Sequence, residues 1–344
     1  PDRRQRQMCI RDRYKKAGVD INAGNELVQQ IKGPIKNTFN NNVLTDLGGF
    51  AGLFSLPKDI KNPTLVACTD GVGTKVSLAL ANNSLHTIGQ DLVGMCVNDL
   101  ITCGAKPLFF LDYFATSKLN VKQARIIIES IANACKSSNC VLLGGETAEM
   151  PGHYVNDNFD LAGFCVGIVD ETKIIDGKSV AEHDLIIGID SSGAHSNGYS
   201  LIRKILDHAS NADKQKWIEH ALQPTYLYPN LIDELKNSIN IKSIANITGG
   251  GLVENIPRSI PKHLAAEIFY SKWKLPEFFQ WLQTSGNLSD TDMQTIFNCG
   301  IGLTIVIAPN EINNLQKVME DRDIKAHVIG KIINQKDNQN IFFT

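Results

Sequence analysis

Short apolar segments of strand length alternate with amphipathic segments of helix length along most of this chain. The clearest helix pattern covers Val121–Lys136, and Asp91–Cys103 has helical spacing that stops at Gly104, a residue type that commonly follows a helix. Further helices are predicted at Tyr199–Asp207, Asn230–Asn237 and Glu311–Glu320. The predicted strands are Leu65–Thr69, Leu108–Ala115, Cys140–Leu143, Leu161–Val169, Leu185–Asp190, Ala265–Tyr270, Ile301–Ile307 and Ala326–Ile333. Because these segments have irregular lengths and polar turns, the pattern favours an α+β fold over a doubly wound sheet.

The length of 344 residues predicts two domains, since a domain usually has about 100–200 residues. A polar, turn-forming segment at residues 170–178 separates two mixed halves, so we place the boundary there.

The 34 basic and 36 acidic residues nearly cancel, which argues against a nucleic-acid partner because phosphate neutralisation requires an excess of Lys and Arg. No apolar run reaches the roughly 18–20 residues that span a bilayer, so no membrane association is expected.

The eight cysteines include no C-x-x-C pair, and most of them lie inside apolar runs. Zinc and redox sites need closely spaced ligand pairs, so neither kind of site is expected. Buried, reduced thiols are the simpler interpretation, and they predict a cytoplasmic protein.

The first thirteen residues differ in composition from the rest of the chain. They carry five Arg and no apolar stretch that could serve a signal peptide, and a transit peptide would avoid Asp2 and Asp12. We therefore interpret residues 1–13 as a scar of cloning or gene prediction and leave them out of the fold.

Five glycine-rich turns lie beside polar or charged side chains, several of them at the ends of predicted strands. They are Leu47–Leu53, Thr69–Lys75, Leu143–Glu149, Ser191–Gly198 and Thr248–Gly251. Glycine lets backbone N–H groups approach an anion without obstruction by Cβ, and consecutive N–H groups form nests for phosphate. One such turn is most often only a tight turn, but five together favour a polyphosphate site. The Walker A and Rossmann spacings are absent, so this site would use another scheme.

Several acidic residues are placed to hold a cation beside these turns. Asp70 follows a predicted strand, where its carboxylate could reach a hard cation that bridges phosphates. Asp91 and Asn98 share one face of a predicted helix and are expected to line a groove, and Asp99 is a costly charge in an apolar helix. Glu146 follows a double glycine, where the structural alternative is a carboxylate that opens a helix.

His195 is the histidine best placed for chemistry, because it lies in a Ser/Gly/Asn turn before a helix predicted to begin near Gly198. Phosphate binding and proton transfer are both reasonable there. His153 is the second choice, and the other six histidines are interpreted as surface residues. The three tryptophans are interpreted as packing residues because no basic patch surrounds them.

Taken together, these strings closely resemble the family of phosphoribosylformylglycinamidine cyclo-ligases, also called aminoimidazole ribonucleotide synthetases. The resemblance covers essentially all of the chain except residues 1–13. Its marks are Thr69–Lys75, Asp91–Leu100, Phe109–Tyr113, Gly144–Gly152 and His195–Leu201.

The resemblance implies a two-domain, PurM-like fold, in which N-terminal domains pair into a β-barrel across a homodimer and are followed by an α/β C-terminal domain. Residues 14–172 would be the ATP-binding and dimerisation domain, and residues 173–344 the C-terminal domain. The implied reaction converts formylglycinamidine ribonucleotide and ATP into 5-aminoimidazole ribonucleotide, ADP and phosphate, in de novo purine biosynthesis. ATP would phosphorylate the formyl oxygen, after which the amidine nitrogen closes the ring and expels phosphate.

The resemblance also implies roles for residues in the motifs. Mg²⁺ on the triphosphate would be held by Asp70 and Asp99, with Asp91 as a third ligand. The implied nucleotide-binding residues are Lys32, Gly48, Gly49 and Phe50 (the last three as a mobile flap over ATP), Thr69, Gly71, Gly73, Thr74, Lys75 and Asp91. The implied substrate-binding residues are Ser192, His195 and Asn197. The implied catalytic set is His195, Asp70, Asp99 and Glu146, with Glu146 orienting the amidine.

One position departs from the family pattern, because relatives commonly carry His where this chain has Asn246. Asn can form a hydrogen bond but cannot act as an acid or base, so Asn246 is left out of the predicted catalytic set. Two alternatives remain: a non-catalytic phosphate-binding or scaffold subunit, and another ATP-dependent enzyme of the same superfamily. The scaffold alternative requires lost acidic ligands, yet Asp70, Asp91, Asp99 and Glu146 are all present.

Overall fold

The computed structural model describes residues 13–155, 158–320, 322–336 and 338–344, so the interpretation of the N-terminal scar falls outside the described residues except at Arg13. The helices are α1 (Ile21–Lys36), α2 (Lys75–Ala81), α3 (Ile88–Leu100), α4 (Val121–Ser137), α5 (Tyr199–His208), α6 (Asn211–Ala221), α7 (Pro229–Ser238), α8 (Gly251–Arg258), α9 (Glu277–Gly286), α10 (Asp290–Ile296) and α11 (Ile312–Met319). The strands are β1 (Pro63–Gly71), β2 (Lys106–Thr116), β3 (Val141–Glu149), β4 (Phe159–Asp170), β5 (Leu185–Asp190), β6 (Ile241–Asn246), β7 (Leu264–Ile268), β8 (Ile301–Ile307), β9 (Ala326–Asn334) and β10 (Ile341–Phe343).

Every predicted helix and strand is present, which confirms the α+β class, but some boundaries differ. The predicted helix Asp91–Cys103 begins earlier, at Ile88, and its last residues form a 3₁₀ turn, Ile101–Cys103, that ends at Gly104 with φ +82°. The stretch before Pro224, for which the sequence pattern predicts no helix or strand, contains α6. Ser210 caps this helix by accepting a hydrogen bond from the N–H of Asp213, a local signal that the apolar pattern does not reveal.

The chain divides into two compact units. The first contains the described residues up to Ile60, together with Ala67–Cys96 and Leu108–Val166, and the second contains Lys61–Val66, Val97–Pro107 and Gly167–Thr344. The predicted domain boundary after residue 172 stays a prediction.

The first unit is built on a sheet with the strand order β1-β4-β2-β3, against which α1 and α4 pack. Strands β2 and β3 run parallel, with Tyr113 opposite Glu146. Along β2, Phe110 and Phe114 are buried while Leu111 and Tyr113 alternate with them and are exposed. This alternation gives the sheet one face covered by helices and one face with exposed apolar side chains.

The second unit is built on a mixed sheet with the strand order β10-β7-β9-β5-β8-β6. Strand β8 is buried along its whole length, as its continuous apolar run requires. Ile187 and Ile189 of β5 and Leu303 and Ile305 of β8 pack with apolar residues of α7 in the core. Strand β6 lies at the end of this order, and the turn Ile101–Cys103 packs beside it.

Of the seven cysteines among the described residues, five are buried and two, Cys68 and Cys103, are partly exposed. Within the same ranges, no helix has both the length and the apolar character that crossing a membrane requires.

Candidate active site

Asp70 lies near the C-terminal end of β1 and is half-buried. Its Oδ1 accepts a hydrogen bond from the N–H of Gly71 at 2.7 Å. Burial raises the pKa of Asp70 despite this hydrogen bond, and no basic side chain among the described residues contributes to the shift. A bound cation would stabilise the ionised form of this half-buried carboxylate. Asp70 is therefore a suitable ligand for Mg²⁺ that is bound to a polyphosphate.

The turn after Asp70 combines close packing with open space. A Cβ atom at Gly71 would lie 3.0 Å from the carbonyl oxygen of Leu161, so the backbone is tightly packed there. Gly73 has φ +67° and has open space where a Cβ would lie. The turn therefore suits glycine at both positions, as the predicted phosphate cradle between Thr69 and Thr74 requires.

Lys75 and Asp91 form a buried salt bridge, with Nζ and Oδ1 2.8 Å apart. Burial lowers the pKa of Lys75, and the charge of Asp91 opposes this effect. The two side chains neutralise each other inside the unit, so their predicted contacts with phosphate and Mg²⁺ stay predictions. The described residues contain no group of three or more His, Cys, Asp or Glu side chains placed to hold a metal.

The loop that contains the predicted flap is closed at its base and exposed at its tip. The N–H of Leu44 donates to the carbonyl oxygen of Leu53 at 2.9 Å. Gly48–Phe50 forms the tip, where Gly48 has φ +104° and the Phe50 ring is fully exposed. An exposed ring on a loop tip is available to contact a ligand, and the role of this tip as a flap stays a prediction.

Two lysines of α1 lie near this loop. Lys36 Nζ is 2.7 Å from Asp46 Oδ2, and this contact lowers the pKa of Asp46, with a smaller effect from the charge of Lys32. The charge of Lys32, on the same helix, therefore acts on a residue of the loop, and its predicted role near a nucleotide stays a prediction.

Glu146 lies inside strand β3, so the alternative that it opens a helix is wrong. The strand continues through Gly144 and Gly145 because β2 pairs with it on both sides of a bulge. The Glu146 side chain is exposed. Glu149, at the end of the strand, instead accepts hydrogen bonds from backbone N–H groups, including that of Asp20, and is structural.

Asp112 is an acidic residue of the first unit to which the sequence assigned no role. Its side chain is 7% exposed and packs over Gly145, where a Cβ atom would collide with Oδ1. Burial, with a smaller contribution from the charge of Glu146, raises the pKa of Asp112 to about 7. The sequence signal that could have identified Asp112 is an acidic residue at an inward-facing position of β2, a strand in which buried and exposed residues alternate.

Asn98 does not line a groove with Asp91, because both side chains are buried. Its Nδ2 donates to the carbonyl oxygen of Tyr226 at 2.7 Å, and its Oδ1 accepts from the N–H of Tyr228 at 3.0 Å. Asn98 therefore anchors the segment before α7, a structural role that its position on the helix did not reveal.

In the second unit, the predicted substrate-binding residues lie on the loop before α5. His195 is 2% exposed and has φ +55°, and Gly198 caps the helix at φ +77°. Ser192 Oγ donates to the carbonyl oxygen of Pro224 at 2.6 Å. A Cβ at Gly249 would lie 3.7 Å from Asn197 Oδ1, so two of the predicted glycine-rich turns are neighbours.

Asp99 lines a cavity of about 290 Å³ in the second unit, beside β6 and α8. Asn246 Nδ2 donates to Asp99 Oδ1 at 2.8 Å. Ser243 and Arg258 also line this cavity, and the buried Ser243 Oγ has no hydrogen-bond partner among the described residues. Asn246 therefore supplies the partner that the charge of Asp99 requires.

Asn255 organises the turn at the start of α8. Its Nδ2 lies 2.8–3.4 Å from the carbonyl oxygens of Thr248, Gly249 and Gly251. The Asn255 amide can therefore donate hydrogen bonds to carbonyl groups of the turn, and this buried side chain stabilises the backbone conformation of the turn.

The predicted catalytic set is divided between the two units. Asp70 and Glu146 belong to the first unit, and Asp99 and His195 belong to the second. Two contacts near these residues were not predicted from the sequence. Asp112 packs over Gly145 in the first unit, and Asn246 donates a hydrogen bond to Asp99 in the second.

Comparisons with known protein families cover most of the chain. The family model described as AIR synthase related protein, N-terminal domain, matches residues 51–169. The model described as AIR synthase related protein, C-terminal domain, matches residues 181–341.

Curated relatives share nearly half of their residues with this chain. Phosphoribosylformylglycinamidine cyclo-ligase from Lawsonia intracellularis (strain PHE/MN1-00) is 48% identical over 330 residues, covering 94% of this chain and 95% of that protein. The protein of the same name from Prochlorococcus marinus (strain MIT 9312) is 46% identical over 334 residues, covering 94% and 96%.

Solved structures with low sequence identity share the fold. Thiamine-monophosphate kinase from Stenotrophomonas maltophilia K279a has a TM-score of 0.65 at 17% identity, covering 91% of this chain and 95% of that chain. HypE from E. coli has a TM-score of 0.67 at 14% identity, covering 92% of each chain. At this identity the likeness concerns the fold alone.

Proposed function

Because the chain belongs to the phosphoribosylformylglycinamidine cyclo-ligase family, we propose that it catalyses the ATP-dependent closure of the imidazole ring. The substrate is formylglycinamidine ribonucleotide, and the products are 5-aminoimidazole ribonucleotide, ADP and phosphate. The single observation that carries the proposal is the similarity to proteins of this name along nearly the whole chain. The non-catalytic alternative is disfavoured, since the acidic residues expected of an active enzyme are all present.

The chemistry requires a good leaving group, because an amide-type oxygen leaves poorly. In the proposed reaction the formyl oxygen receives the phosphoryl group of ATP, the amidine nitrogen attacks the formyl carbon, and phosphate leaves as the ring closes. The protein then has two main tasks, which are to position the reacting groups and to neutralise phosphate charge.

Mg²⁺ on the triphosphate would supply much of that neutralisation when bound. The half-buried carboxylate of Asp70, without a basic partner in its surroundings among the described residues, supports its assignment as a ligand of this ion. The turn from Thr69 to Thr74, Lys32 and the loop tip Gly48–Phe50 are assigned to the nucleotide. Mg²⁺ usually takes one or two carboxylates together with phosphate oxygens, so a site with few protein ligands is sufficient.

The second unit is assigned to the substrate. Ser192, His195 and Asn197 lie on one loop before α5, where hydroxyl, imidazole and amide groups suit a ribose phosphate or a proton transfer. Asp99, whose Oδ1 accepts a hydrogen bond from Asn246 Nδ2, is assigned to Mg²⁺, and Glu146 is assigned to orient the amidine.

We also propose that the enzyme is a cytoplasmic homodimer. On the sheet of the first unit, Leu111, Tyr113 and Phe164 are 36%, 38% and 49% exposed. A second copy of the chain would cover these apolar side chains. Sedimentation should give a dimer for the natural chain and a monomer for Leu111→Lys, and a monomer for both would contradict the assignment. The free thiols of the described residues fit a reducing compartment.

The activity is tested by incubation with formylglycinamidine ribonucleotide, ATP and Mg²⁺, followed by detection of the diazotisable aminoimidazole. Formation of this product together with ADP is expected, and its absence would contradict the proposal. ATP consumption without an aminoimidazole would instead indicate another enzyme of the superfamily.

The role of Asp70 is tested with Asp70→Asn, which keeps the side-chain shape and removes the charge. The variant should keep its circular dichroism spectrum and melting temperature while losing turnover. Exposed Asp59 offers a matched control, since Asp59→Asn removes the same charge outside the proposed site.

A further inference from the structure

His195 has a backbone conformation that its surroundings must maintain. Its φ of +55° lies in the left-handed region, which residues with a Cβ atom seldom adopt. The residue is also 2% exposed, so its imidazole packs against protein groups. A residue in this conformation persists only where neighbouring groups determine its position, and such residues cluster at functional sites. The neighbours of His195 therefore indicate what fixes its side chain.

Tyr228 and Gly302 lie against the His195 ring. The centroids of the Tyr228 and His195 rings are 6.1 Å apart, and their planes are inclined by 59°. A Cβ atom at Gly302, in β8, would lie 2.2 Å from Tyr228 Oη and 2.5 Å from His195 Cε1. Both atoms therefore occupy the space that a side chain at position 302 would fill. The absence of a side chain at Gly302 lets the phenol oxygen and the imidazole carbon lie close together.

The hydroxyl group of Tyr228 holds the start of the loop that carries His195. Tyr228 is fully buried, and its Oη donates a hydrogen bond to the carbonyl oxygen of Asp190 at 2.7 Å. Asp190 ends β5, immediately before the turn Ser191–Gly198. Burial raises the pKa of Tyr228 well above its usual value, so the hydroxyl remains a hydrogen-bond donor at neutral pH. One side chain therefore contacts both the residue before the loop and the histidine within it.

Asn98 holds the backbone of Tyr228. Its Oδ1 accepts a hydrogen bond from the N–H of Tyr228 at 3.0 Å, and its Nδ2 donates to the carbonyl oxygen of Tyr226 at 2.7 Å. Asn98 directly precedes Asp99 near the end of α3. The segment that carries Asp99 is therefore hydrogen-bonded to the tyrosine that packs against His195. All of these residues belong to the second unit.

We propose that Tyr228 is a positioning residue that sets the orientation of the His195 imidazole in the loop assigned to the substrate. Its ring limits the rotation of the imidazole and its hydroxyl fixes the loop, so Tyr228 itself does not touch the substrate. The role of His195 rests on the proposed function, whereas the contact between the two rings does not. Orientation matters because a displacement of about 1 Å at the reacting groups can lower a rate by roughly 100-fold.

Nuclear magnetic resonance of protein with labelled histidine tests the contact without any measurement of turnover. The Cε1–H signal of His195 is identified as the one that disappears in His195→Asn. In the natural chain this proton should show nuclear Overhauser effects to the Tyr228 ring and to the α-protons of Gly302. Tyr228→Phe, which removes only the hydroxyl group, should shift the His195 signal.

Tyr226→Phe is the matched control. It removes a hydroxyl group from the neighbouring tyrosine, whose ring centroid is 4.8 Å from that of Tyr228, and leaves the donor to the Asp190 carbonyl in place. The His195 signal and the turnover of this variant should match those of the natural chain.

Steady-state kinetics tests the consequence for the reaction. Tyr228→Phe should lower kcat by roughly 10-fold to 100-fold, because the imidazole is misdirected in the transition state. The KM for ATP should stay within about twofold of the natural value, since the nucleotide is assigned to the first unit. Measurements are made well below the melting temperature of the variant. A purely structural role of Tyr228 would lower that temperature and leave kcat and the His195 signal unchanged.

The inference is overturned if the natural chain shows no Overhauser effect between His195 and either Tyr228 or Gly302. It is also overturned if folded Tyr228→Phe keeps the His195 signal or the kcat of the natural chain. Should Tyr228→Phe fail to fold by circular dichroism, the Overhauser effects decide the contact, and Asn98→Ser, which releases the Tyr228 backbone, replaces it in the kinetic test. Absence of ring closure by the natural chain would contradict the proposed function, and the spectroscopic measurements would still decide this inference.

Discussion

Lys75 and Asp91 neutralise each other inside the first unit, with Nζ and Oδ1 2.8 Å apart and neither side chain more than 1% exposed. Asp91→Asn would leave the ammonium of Lys75 in an apolar environment without a full counter-charge. The free energy of unfolding should fall by about 3–5 kcal/mol, measured by urea denaturation.

The exposed pair of Lys36 and Asp46 is the matched control, because its atoms are 2.7 Å apart but solvent screens the charges. Asp46→Asn should leave the denaturation midpoint within experimental error. If both variants lost the same free energy of unfolding, burial would not determine how much the Lys75–Asp91 pair contributes to stability.

Asp112 should make stability depend on pH. Its pKa is raised from 3.8 to about 7 in the folded protein, so the folded state binds more protons than the unfolded state between these values. Its stabilising contribution is therefore present below about pH 4 and is lost as the pH rises to about 7. Relative to the natural chain, Asp112→Asn should be equally stable near pH 4 and more stable at pH 8, by on the order of a few kcal/mol.

Thermal unfolding of both proteins between pH 4 and pH 8 measures this difference. Asp59→Asn, at an exposed position, controls for the loss of one negative charge. A stability difference for Asp112→Asn that does not change with pH would contradict the assignment.

Two adjacent glycines of β3 should respond differently to the same substitution. A Cβ at Gly145 would collide with the carboxylate and the backbone oxygen of Asp112, whereas the nearest atom to a Cβ at Gly144 is Leu111 Cδ2, at 3.9 Å. Gly145→Ala should lower the free energy of unfolding by roughly 1–3 kcal/mol, while Gly144→Ala should leave it unchanged or slightly raised. A destabilisation of equal size in both would mean that Asp112 does not pack over Gly145.

Asn246 should influence catalysis through Asp99, to which it donates a hydrogen bond of 2.8 Å. A hydrogen bond to a charged group contributes about 1.5–3 kcal/mol, so Asn246→Ala should lower kcat/KM by roughly 10-fold to 100-fold. Asn246→His restores a donor and should recover most of the activity. Unchanged kinetics in a folded Asn246→Ala variant would exclude a positioning role.

The position of Asp70 at a strand end, the glycine turn after it and the stop at Gly104, after the 3₁₀ turn that follows α3, were predictable from the sequence, because each depends on neighbours in the chain. The exposed Glu146 shows the limit of such local signals, since a double glycine is compatible with a turn before a helix. Pairing with β2 selected a continuous strand instead.

The sequence by itself determined the family, the α+β class and the residue types available for binding phosphate. Hydrophobic periodicity and turn-forming residues can be recognised in a single sequence because they reflect interactions between residues a few positions apart. Only the tertiary structure decided that Asp99 pairs with Asn246, that Asp112 is buried over Gly145, and that Tyr228 packs against His195. These contacts join residues far apart in the chain, and their energies depend on burial, which exists only after the elements have packed.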